Sequence, residues 1–214
     1  MKIEELEING KKFVFENEIE DISYDNIIPI TEEEGKEILQ KAKILFSQIE
    51  LDFYLSFGTL LGAIREHNII PGDEDVDIMI FDEEKLYKNL PFLYENNFKL
   101  CRIKKGIYYS FRINEKTYID VYVIRNLNFS IWKTYCYSLS GYITPKKYLK
   151  EFEEIHFLGD KYLCPKNPEK IIEFWYGKDW RTPKSGKNYY YEVKSAYYWR
   201  CIKIFLVKMK RKFL

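Results

Sequence analysis

Two aspartates spaced two residues apart are the first feature of this chain that could do chemistry. Asp75 and Asp77 stand in the run DEDVDIMIF, whose apolar members alternate as in a β-strand. Because side chains two apart leave a strand on the same face, both carboxylates would point the same way. Like charges held side by side are costly unless a cation lies between them, and oxygen ligands favour Mg²⁺ or Mn²⁺. The spacing predicts a divalent metal site; the alternative is an acidic loop in solvent.

A third carboxylate stands alone in a later apolar run. Asp120 is the one charged residue within Tyr118–Ile124. Burying an unpaired charge at the centre of a strand costs several kcal/mol, so the position needs a reason. If this strand lies beside the first, Asp120 can complete the metal shell or accept a proton. The alternative is an ion pair with a nearby lysine or arginine.

A Gly-Thr pair ahead of a short apolar run predicts a phosphate-binding turn. Gly58 would let a phosphate approach the backbone, and Thr59 would donate its hydroxyl. The start of the helix that follows would add free N–H groups and its positive end. Arg65 is the nearest arginine and could pair with a phosphate or with an acidic neighbour. The sequence thus predicts a phosphate at one end of this stretch and a metal at the other.

These motifs together resemble the nucleotidyltransferase superfamily, in which a glycine with a small residue opens a helix, a D-x-D strand follows, and a third acid lies on a later strand. The longer match is to the LicD family, which includes bacterial choline-phosphate transferases and the fukutin-related proteins. Its signature is similar to Gly58–Arg65 (GTLLGAIR), then Ile70-Pro71, then the run Asp73-x-Asp75-Val76-Asp77-Ile78. Its downstream element is similar to Tyr176–Trp180 (YGKDW), followed by Pro183.

The resemblance implies an α+β, nucleotidyltransferase-like fold with a mixed β-sheet flanked by helices and a helical C-terminal part. It implies metal-dependent transfer of a phospho-alcohol, phosphocholine or a polyol phosphate, from a CDP-activated donor to a glycan hydroxyl, with release of CMP. Carried over by position, Asp75 and Asp77 would bind Mg²⁺ or Mn²⁺, and Asp120 would match the third acid. Gly58 and Thr59 would face the donor phosphates.

Two positions depart from the family's pattern. Gly72 stands where an aromatic residue commonly follows the proline, and Glu74 replaces a frequent aspartate. Neither position is a predicted metal ligand. Two other functions stay open: nucleotidyl transfer from an NTP with release of pyrophosphate, and a catalytically silent binding member of the fold.

The composition limits the class of protein. With 214 residues, 46% of them hydrophobic and 31% charged, the chain can bury a full core. A net charge of +1 gives no electrostatic case for nucleic-acid binding. The start, MKIEELEING, has no apolar leader, and no run is long enough to span a bilayer. We expect a cytoplasmic protein whose four cysteines, none in a C-x-x-C pair, are reduced and mostly buried.

Periodicity and turn signals predict the elements that position these residues. Asn9-Gly10 indicates a hairpin over 2–16, and Thr31 with Glu34 forms a capping box for a helix over 32–49. The other expected elements are strands over 53–57, 75–81, 98–104, 107–114 and 117–124, a hairpin over 157–162, and helices over 59–66, 82–96, 144–152, 167–177 and 192–214.

Three parts are expected: an N-terminal hairpin and lead-in (1–30), a nucleotidyltransferase-like catalytic domain (31–190) and a basic amphipathic C-terminal helix (191–214). The last seven residues contain four cations and no acids. A basic amphipathic helix over 196–214 can rest on an anionic membrane, where lipid-linked glycan acceptors would lie. This pattern predicts that the protein makes peripheral contact with the inner face of the membrane. The alternative is a helix packed on the core. His67 and His156, the only histidines, are not expected to be catalytic.

Overall fold

A computed structural model of the chain describes residues 2–17, 28–127, 136–140, 142–184 and 202. The chain divides into two compact units, Met1–Lys166 and Asn167–Leu214. The first unit contains the three aspartates singled out from the sequence, and it is built mainly of strands.

The first unit has its strands in the order β1 Lys2–Ile8, β2 Lys11–Asn17, β3 Tyr54–Leu55, β4 Asp75–Ile80, β5 Lys99–Lys104, β6 Tyr108–Arg112, β7 Tyr118–Asn126, β8 Cys136–Leu139, β9 Tyr142–Pro145, β10 Phe152–Phe157 and β11 Asp160–Pro165. Its helices are α1 Glu32–Gln48, α2 Phe57–Arg65, α3 Glu83–Lys88 and α4 Leu90–Glu95, with a 3₁₀ turn at Lys146–Tyr148. The second unit contributes α5, Pro168–Tyr176, to the described residues.

The main sheet of the first unit is mixed. Its strands run in the order β3-β4-β7-β6-β5, and β8 joins β7 and carries β9. The β4–β7 pair is parallel, and the remaining pairs in this sheet are antiparallel. The chain is therefore an α+β protein with a mixed sheet flanked by helices, as the sequence predicts.

One face of the sheet forms the core against α1. Val76, Ile78 and Val121 point to this face and are fully buried. The ring of Phe46, on α1, lies edge-on to Phe98 at 5.9 Å, and Phe98 stacks on Phe111 of β6 at 4.7 Å. These contacts anchor α1 to the apolar face, which leaves the opposite face of β4 and β7 for the aspartates.

Two local predictions are confirmed by the backbone geometry. The Thr31 hydroxyl accepts from the Glu34 N–H at 3.2 Å, and the Glu34 carboxylate accepts from the Thr31 N–H at 2.8 Å. This reciprocal capping box makes Thr31 the N-cap of α1, which begins at the next residue, Glu32. The β1–β2 hairpin turns at Asn9 and Gly10, which both have positive φ, as a two-residue hairpin turn requires.

The predicted helix over 82–96 is wrong as a single element, and the helix over 59–66 begins earlier. The first forms two short helices, α3 and α4, separated at Asn89. Pro91 has no N–H to donate to the carbonyl four residues back, and its ring crowds that carbonyl, so a continuous helix is broken here. The second begins at Phe57, which places Gly58 and Thr59 inside the first turn of α2.

The predicted helix over 144–152 is also wrong. Thr144 and Pro145 end β9, where they pair with Tyr137 and Cys136 of β8. A Thr-Pro pair favours a helix start locally, but pairing with a neighbouring strand satisfies the backbone instead, and one 3₁₀ turn is left. The hairpin over 157–162 and the helix over 167–177 are confirmed as β10–β11 and α5.

The predicted C-terminal helix over 191–214 lies outside the described residues, apart from residue 202, and the three-part division of the chain stays a prediction. Within the described ranges, no helix combines the length and apolar character needed to cross a membrane. Cys101, Cys136 and Cys164 are buried, as predicted, and each is a reduced thiol. Both histidines lie at the surface.

Candidate metal and phosphate site

The parallel register of β4 and β7 brings the three aspartates together. Asp77 lies directly opposite Asp120 across the strand pair, and Asp75 lies two residues earlier on the same face of β4. One carboxylate oxygen from each of the three lies within 4.8 Å of the others. Asp77 and Asp120 are each only 7% exposed. Such a cluster of oxygen ligands can hold a divalent cation.

The first turn of α2 is fixed to the same aspartates. The Gly58 N–H donates to the Asp77 carboxylate at 2.8 Å, and the Asp77 N–H donates to the Thr59 hydroxyl at 2.7 Å. Thr59 is buried. The Gly-Thr pair therefore joins the helix start to β4, and it places the positive end of the α2 dipole against the carboxylates.

The position of Gly58 admits no side chain without moving a carboxylate. A Cβ added there would lie 2.9 Å from a carboxylate oxygen of Asp73 and 3.0 Å from one of Asp77. Asp73 is thus a fourth carboxylate at the site; it belongs to the signature-like run that leads to Asp75, but sequence reasoning assigned it no role. The backbone N–H of Asp73 donates to the carbonyl oxygen of Ile70 at 3.0 Å. This closes a β-turn in which Gly72 has φ +88°, a conformation that disfavours the aromatic residue common at that position.

Burial and mutual repulsion make these carboxylates hard to ionise. The pKa of Asp75 is raised well above its ordinary value by burial first and then by Asp77 and Asp120. Burial and the charges of Asp73 and Asp120 likewise raise the pKa of Asp77, although the Gly58 N–H acts in the opposite direction. Burial is the main cause that raises the pKa of Asp73 to about 6. A divalent cation would relieve this repulsion, so the residues fit Mg²⁺ or Mn²⁺.

Asp120 is held by partners that the sequence did not identify. Its Oδ1 accepts from Arg102 Nη2 at 3.0 Å and also from the Ser110 hydroxyl. Its Oδ2 accepts from the Tyr122 hydroxyl at 3.2 Å. The ion pair offered as an alternative for Asp120 therefore exists together with the carboxylate cluster. Tyr122 could have been found from its spacing, because it lies two residues after Asp120 on the same face.

Arg65 lies at the other end of α2. Its Nε donates to Glu66 at 2.6 Å, and its side chain is 10% exposed. Arg65 lies seven positions after Gly58 along the helix, a rise of about 10 Å along the axis. The structure does not bring Arg65 to the start of α2, where Gly58 and the carboxylates meet. Its assignment to the donor phosphates stays a prediction.

The YGKDW element closes α5 in the second unit. Gly177, with φ +102°, ends the helix, and its N–H donates to the backbone carbonyl of Glu173. Trp180 is buried, and the guanidinium of Arg181 lies 4.2 Å from its ring centroid. Arg181 also pairs with Glu169, at the start of α5, at 2.6 Å. Within this unit, the motif stabilises the turn that follows the helix.

The fold and the carboxylate cluster define a nucleotidyltransferase-like domain. The solution structure of the antibiotic-resistance factor ANT(2'')-Ia superposes with a TM-score of 0.50 at 9% identity, covering 86% of this chain and 100% of that one. The family model described as "LicD/FKTN/FKRP, nucleotidyltransferase domain" matches residues 50–167. The chain belongs to this family, as its motifs indicate.

Two relatives show how far the likeness extends. Human ribitol-5-phosphate transferase FKTN is 29% identical over 163 residues, which are 70% of this chain and 33% of the human protein. The uncharacterized protein RP689 of Rickettsia prowazekii is 26% identical over 90 residues, which are 41% of this chain and 32% of that protein. The chain spans about a third of the length of the curated relatives it matches.

Proposed function

We propose that this protein transfers a phospho-alcohol group, a polyol phosphate such as ribitol phosphate or phosphocholine, from a CDP-activated donor to a glycan hydroxyl. The observation that carries the proposal is the convergence of Asp75, Asp77 and Asp120 within 4.8 Å in a chain of the LicD family. The similarity to a ribitol-5-phosphate transferase supports a polyol phosphate as the transferred group.

The reaction exchanges one phosphorus–oxygen bond for another. The acceptor hydroxyl oxygen forms a bond to the phosphorus that carries the alcohol, and the bridging bond of the donor's diphosphate breaks. CMP leaves with the bridging oxygen and its electron pair, and the hydroxyl proton passes to a carboxylate or to water. Catalysis of such a transfer depends mainly on positioning and on the neutralisation of phosphate charge.

Asp75, Asp77 and Asp120 are the residues that would hold Mg²⁺ or Mn²⁺. When bound, such an ion supplies positive charge that neutralises phosphate oxygens. Asp120 acts as a ligand rather than as the base in this proposal, because its Oδ1 already accepts hydrogen bonds from Arg102 and Ser110. The start of α2, at Gly58 and Thr59, would direct the positive end of its dipole toward the donor phosphates, while the Gly58 N–H and the Thr59 hydroxyl are hydrogen-bonded to Asp77.

A donor screen tests the proposal. The purified protein is incubated with CDP-ribitol, CDP-glycerol, CDP-choline, CDP-ethanolamine or NTPs, together with a pool of glycan acceptors, with Mg²⁺, with Mn²⁺ or with EDTA. Mass spectrometry then identifies the products. We expect CMP and a phospho-alcohol glycan from one CDP donor, with the activity lost in EDTA.

Two variants and one product decide the result. Asp75→Asn should abolish turnover, whereas Asp52→Asn, which changes an exposed aspartate, should leave it intact. Pyrophosphate from an NTP, without CMP from any CDP donor, would assign nucleotidyl transfer instead. Absence of any product together with absence of Mn²⁺ binding would favour a silent binding member of the fold.

The cellular setting belongs to the same proposal. A glycan or lipid-linked glycan is the acceptor, and residues 196–214 would make peripheral contact with the membrane that carries it. Vesicle flotation of the full chain and of a chain ending at residue 195 tests the contact. Equal flotation of the two on anionic vesicles would remove these residues from the proposal.

A further inference from the structure

Strand β5 contains a bulge that changes which face its residues occupy. Lys99 pairs with Arg112 and Leu100 with Phe111, but the next pair is Arg102 with Ser110, so Cys101 is an extra residue. In a regular register with no bulge, Cys101 would pair with Ser110, and Arg102 would then point to the apolar face. The bulge therefore directs Arg102 to the face that carries the carboxylates, a use of bulges that is common beside active sites.

Arg102 is fixed in place on that face. Its Nη2 donates to Asp120 and its Nε donates to Ser110, both at 3.0 Å. The guanidinium carbon lies 4.8 Å from the ring centroid of Tyr118 and 6.0 Å from that of Tyr108. The side chain is 15% exposed. A guanidinium held between rings and hydrogen bonds loses little freedom when it binds another anion.

The charge around Arg102 is strongly negative. Four aspartates (Asp73, Asp75, Asp77 and Asp120) and Glu74 occupy the neighbourhood of the site. A donor diphosphate brought to these residues adds further negative charge, which one divalent ion only partly offsets. Arg102 pairs directly with the cluster through Asp120, and its two hydrogen bonds use two of its five N–H groups.

We propose that Arg102 is a phosphate-binding catalytic residue of this site: its guanidinium, held by Asp120, contacts a non-bridging oxygen of the donor's diphosphate. The proposal rests on the proposed function for the identity of the donor. It assigns to a residue of β5 the role that the sequence suggested for Arg65. A planar guanidinium suits this role, because it can bind the carboxylate and a phosphate oxygen with different N–H groups.

Steady-state kinetics with the active CDP donor test the assignment. Arg102→Met should lower kcat/KM by about 100-fold, the loss expected when one charge-stabilising group is removed. Arg102→Lys keeps the positive charge but loses the planar set of N–H donors. Its kcat/KM should be about a tenth of the wild-type value. Arg125→Met, which changes an exposed arginine of the same sheet, should stay within twofold of the wild type.

Titration of Mn²⁺ alone by calorimetry separates phosphate binding from the support of Asp120. Removing a cation beside the cluster should leave Mn²⁺ affinity in Arg102→Met equal to that of the wild type or tighter. Weaker Mn²⁺ binding in proportion to the loss of kcat/KM would show that Arg102 only positions Asp120, and the proposal would fail. It would also fail if Arg102→Met kept wild-type kinetics or if Arg65→Met caused the larger loss.

A binding measurement keeps this test apart from the test of the proposed function. Pyrophosphate with Mn²⁺ serves as a diphosphate probe that needs no turnover. The wild type should bind it at least tenfold more tightly than Arg102→Lys, a variant that keeps a positive charge beside Asp120. If no CDP donor reacts but this difference holds, the proposed function fails and Arg102 is still a phosphate site. Equal binding by both proteins overturns the assignment.

Discussion

The two faces of the β4–β7 strand pair differ in chemistry although they share one backbone. On one face, Asp77 and Asp120 lie opposite each other beside the start of α2. On the other, their neighbours Ile78 and Val121 are also opposite each other and are completely buried against the core. The period of two along a strand thus places a costly cluster of charge one residue away from tight apolar packing.

This contrast shows which residues stabilise the fold around the site and which do not. The carboxylates repel one another and are partly desolvated, so they lower the stability of the metal-free protein rather than raise it. The apolar face supplies the packing that holds them in register. We therefore expect substitutions on the polar face to change activity, and substitutions on the apolar face to change the free energy of unfolding.

The largest effect is expected on the polar face at Asp77. Asp77→Asn removes a proposed metal ligand, worth several kcal/mol of charge stabilisation, and kcat/KM should fall by about 10³-fold or more. Stability without metal should stay equal or rise, because a repelled charge is lost while the amide oxygen can still accept from Gly58. Kinetics and thermal unfolding check both parts. Wild-type turnover in this variant would disprove the ligand assignment.

The adjacent residue should behave in the opposite way. Ile78→Ala leaves a cavity in the apolar face and should lower the free energy of unfolding by about 2–5 kcal/mol. The kcat/KM of the folded fraction should remain within about threefold, since the aspartates keep their register. Urea unfolding gives the first quantity, and kinetics corrected for folded protein give the second. A loss of activity that matches Asp77→Asn would contradict the division between the faces.

A pair of glycines tests the same division outside the strands. A Cβ at Gly58 would press on the carboxylates of Asp73 and Asp77, whereas a Cβ at Gly35 of α1 would meet the Ile69 side chain at a similar 2.9 Å. Gly58→Ala should lower kcat/KM by about 10–100-fold, the range for residues that orient ligands. Gly35→Ala should change only thermal stability, by about 1 kcal/mol in either direction. Equal activity losses in both variants would refute the comparison.

The smallest expected effect is a pH dependence of stability in the metal-free protein. The pKa of Asp73 is raised from its ordinary 3.8 to about 6, so its protonated form favours folding. That contribution is complete below about pH 4 and is lost as the pH rises through about 6. The Tm of the wild type minus that of Asp73→Asn should therefore fall by about 2–6 °C between pH 4.5 and pH 7.

Addition of Mn²⁺ should cancel this fall, because a bound cation favours the charged carboxylates. Differential scanning calorimetry at the two pH values, with and without Mn²⁺, provides the measurement. A difference in Tm that rises with pH in the metal-free protein would show that the burial of Asp73 does not govern its ionisation.

Local signals in the sequence gave reliable predictions where the relevant contacts lie within a few residues. The capping box of Thr31 and Glu34 and the Asn9-Gly10 turn appear as expected. The signals failed where distant pairing decided the outcome: Thr144 and Pro145 suit a helix start, yet they pair with β8. At the break between α3 and α4 the local signal is Pro91, but the apolar periodicity of Leu86, Leu90 and Leu93 continues across it.

The sequence by itself determined that Asp75 and Asp77 share a face and that a helix begins beside Gly58, because both follow from the local geometry of a strand and a turn. The tertiary structure alone decided the rest of the site. Parallel pairing set Asp120 opposite Asp77, and a single bulged residue turned Arg102 toward them. Register between strands depends on packing across the whole sheet, so no local pattern specifies it.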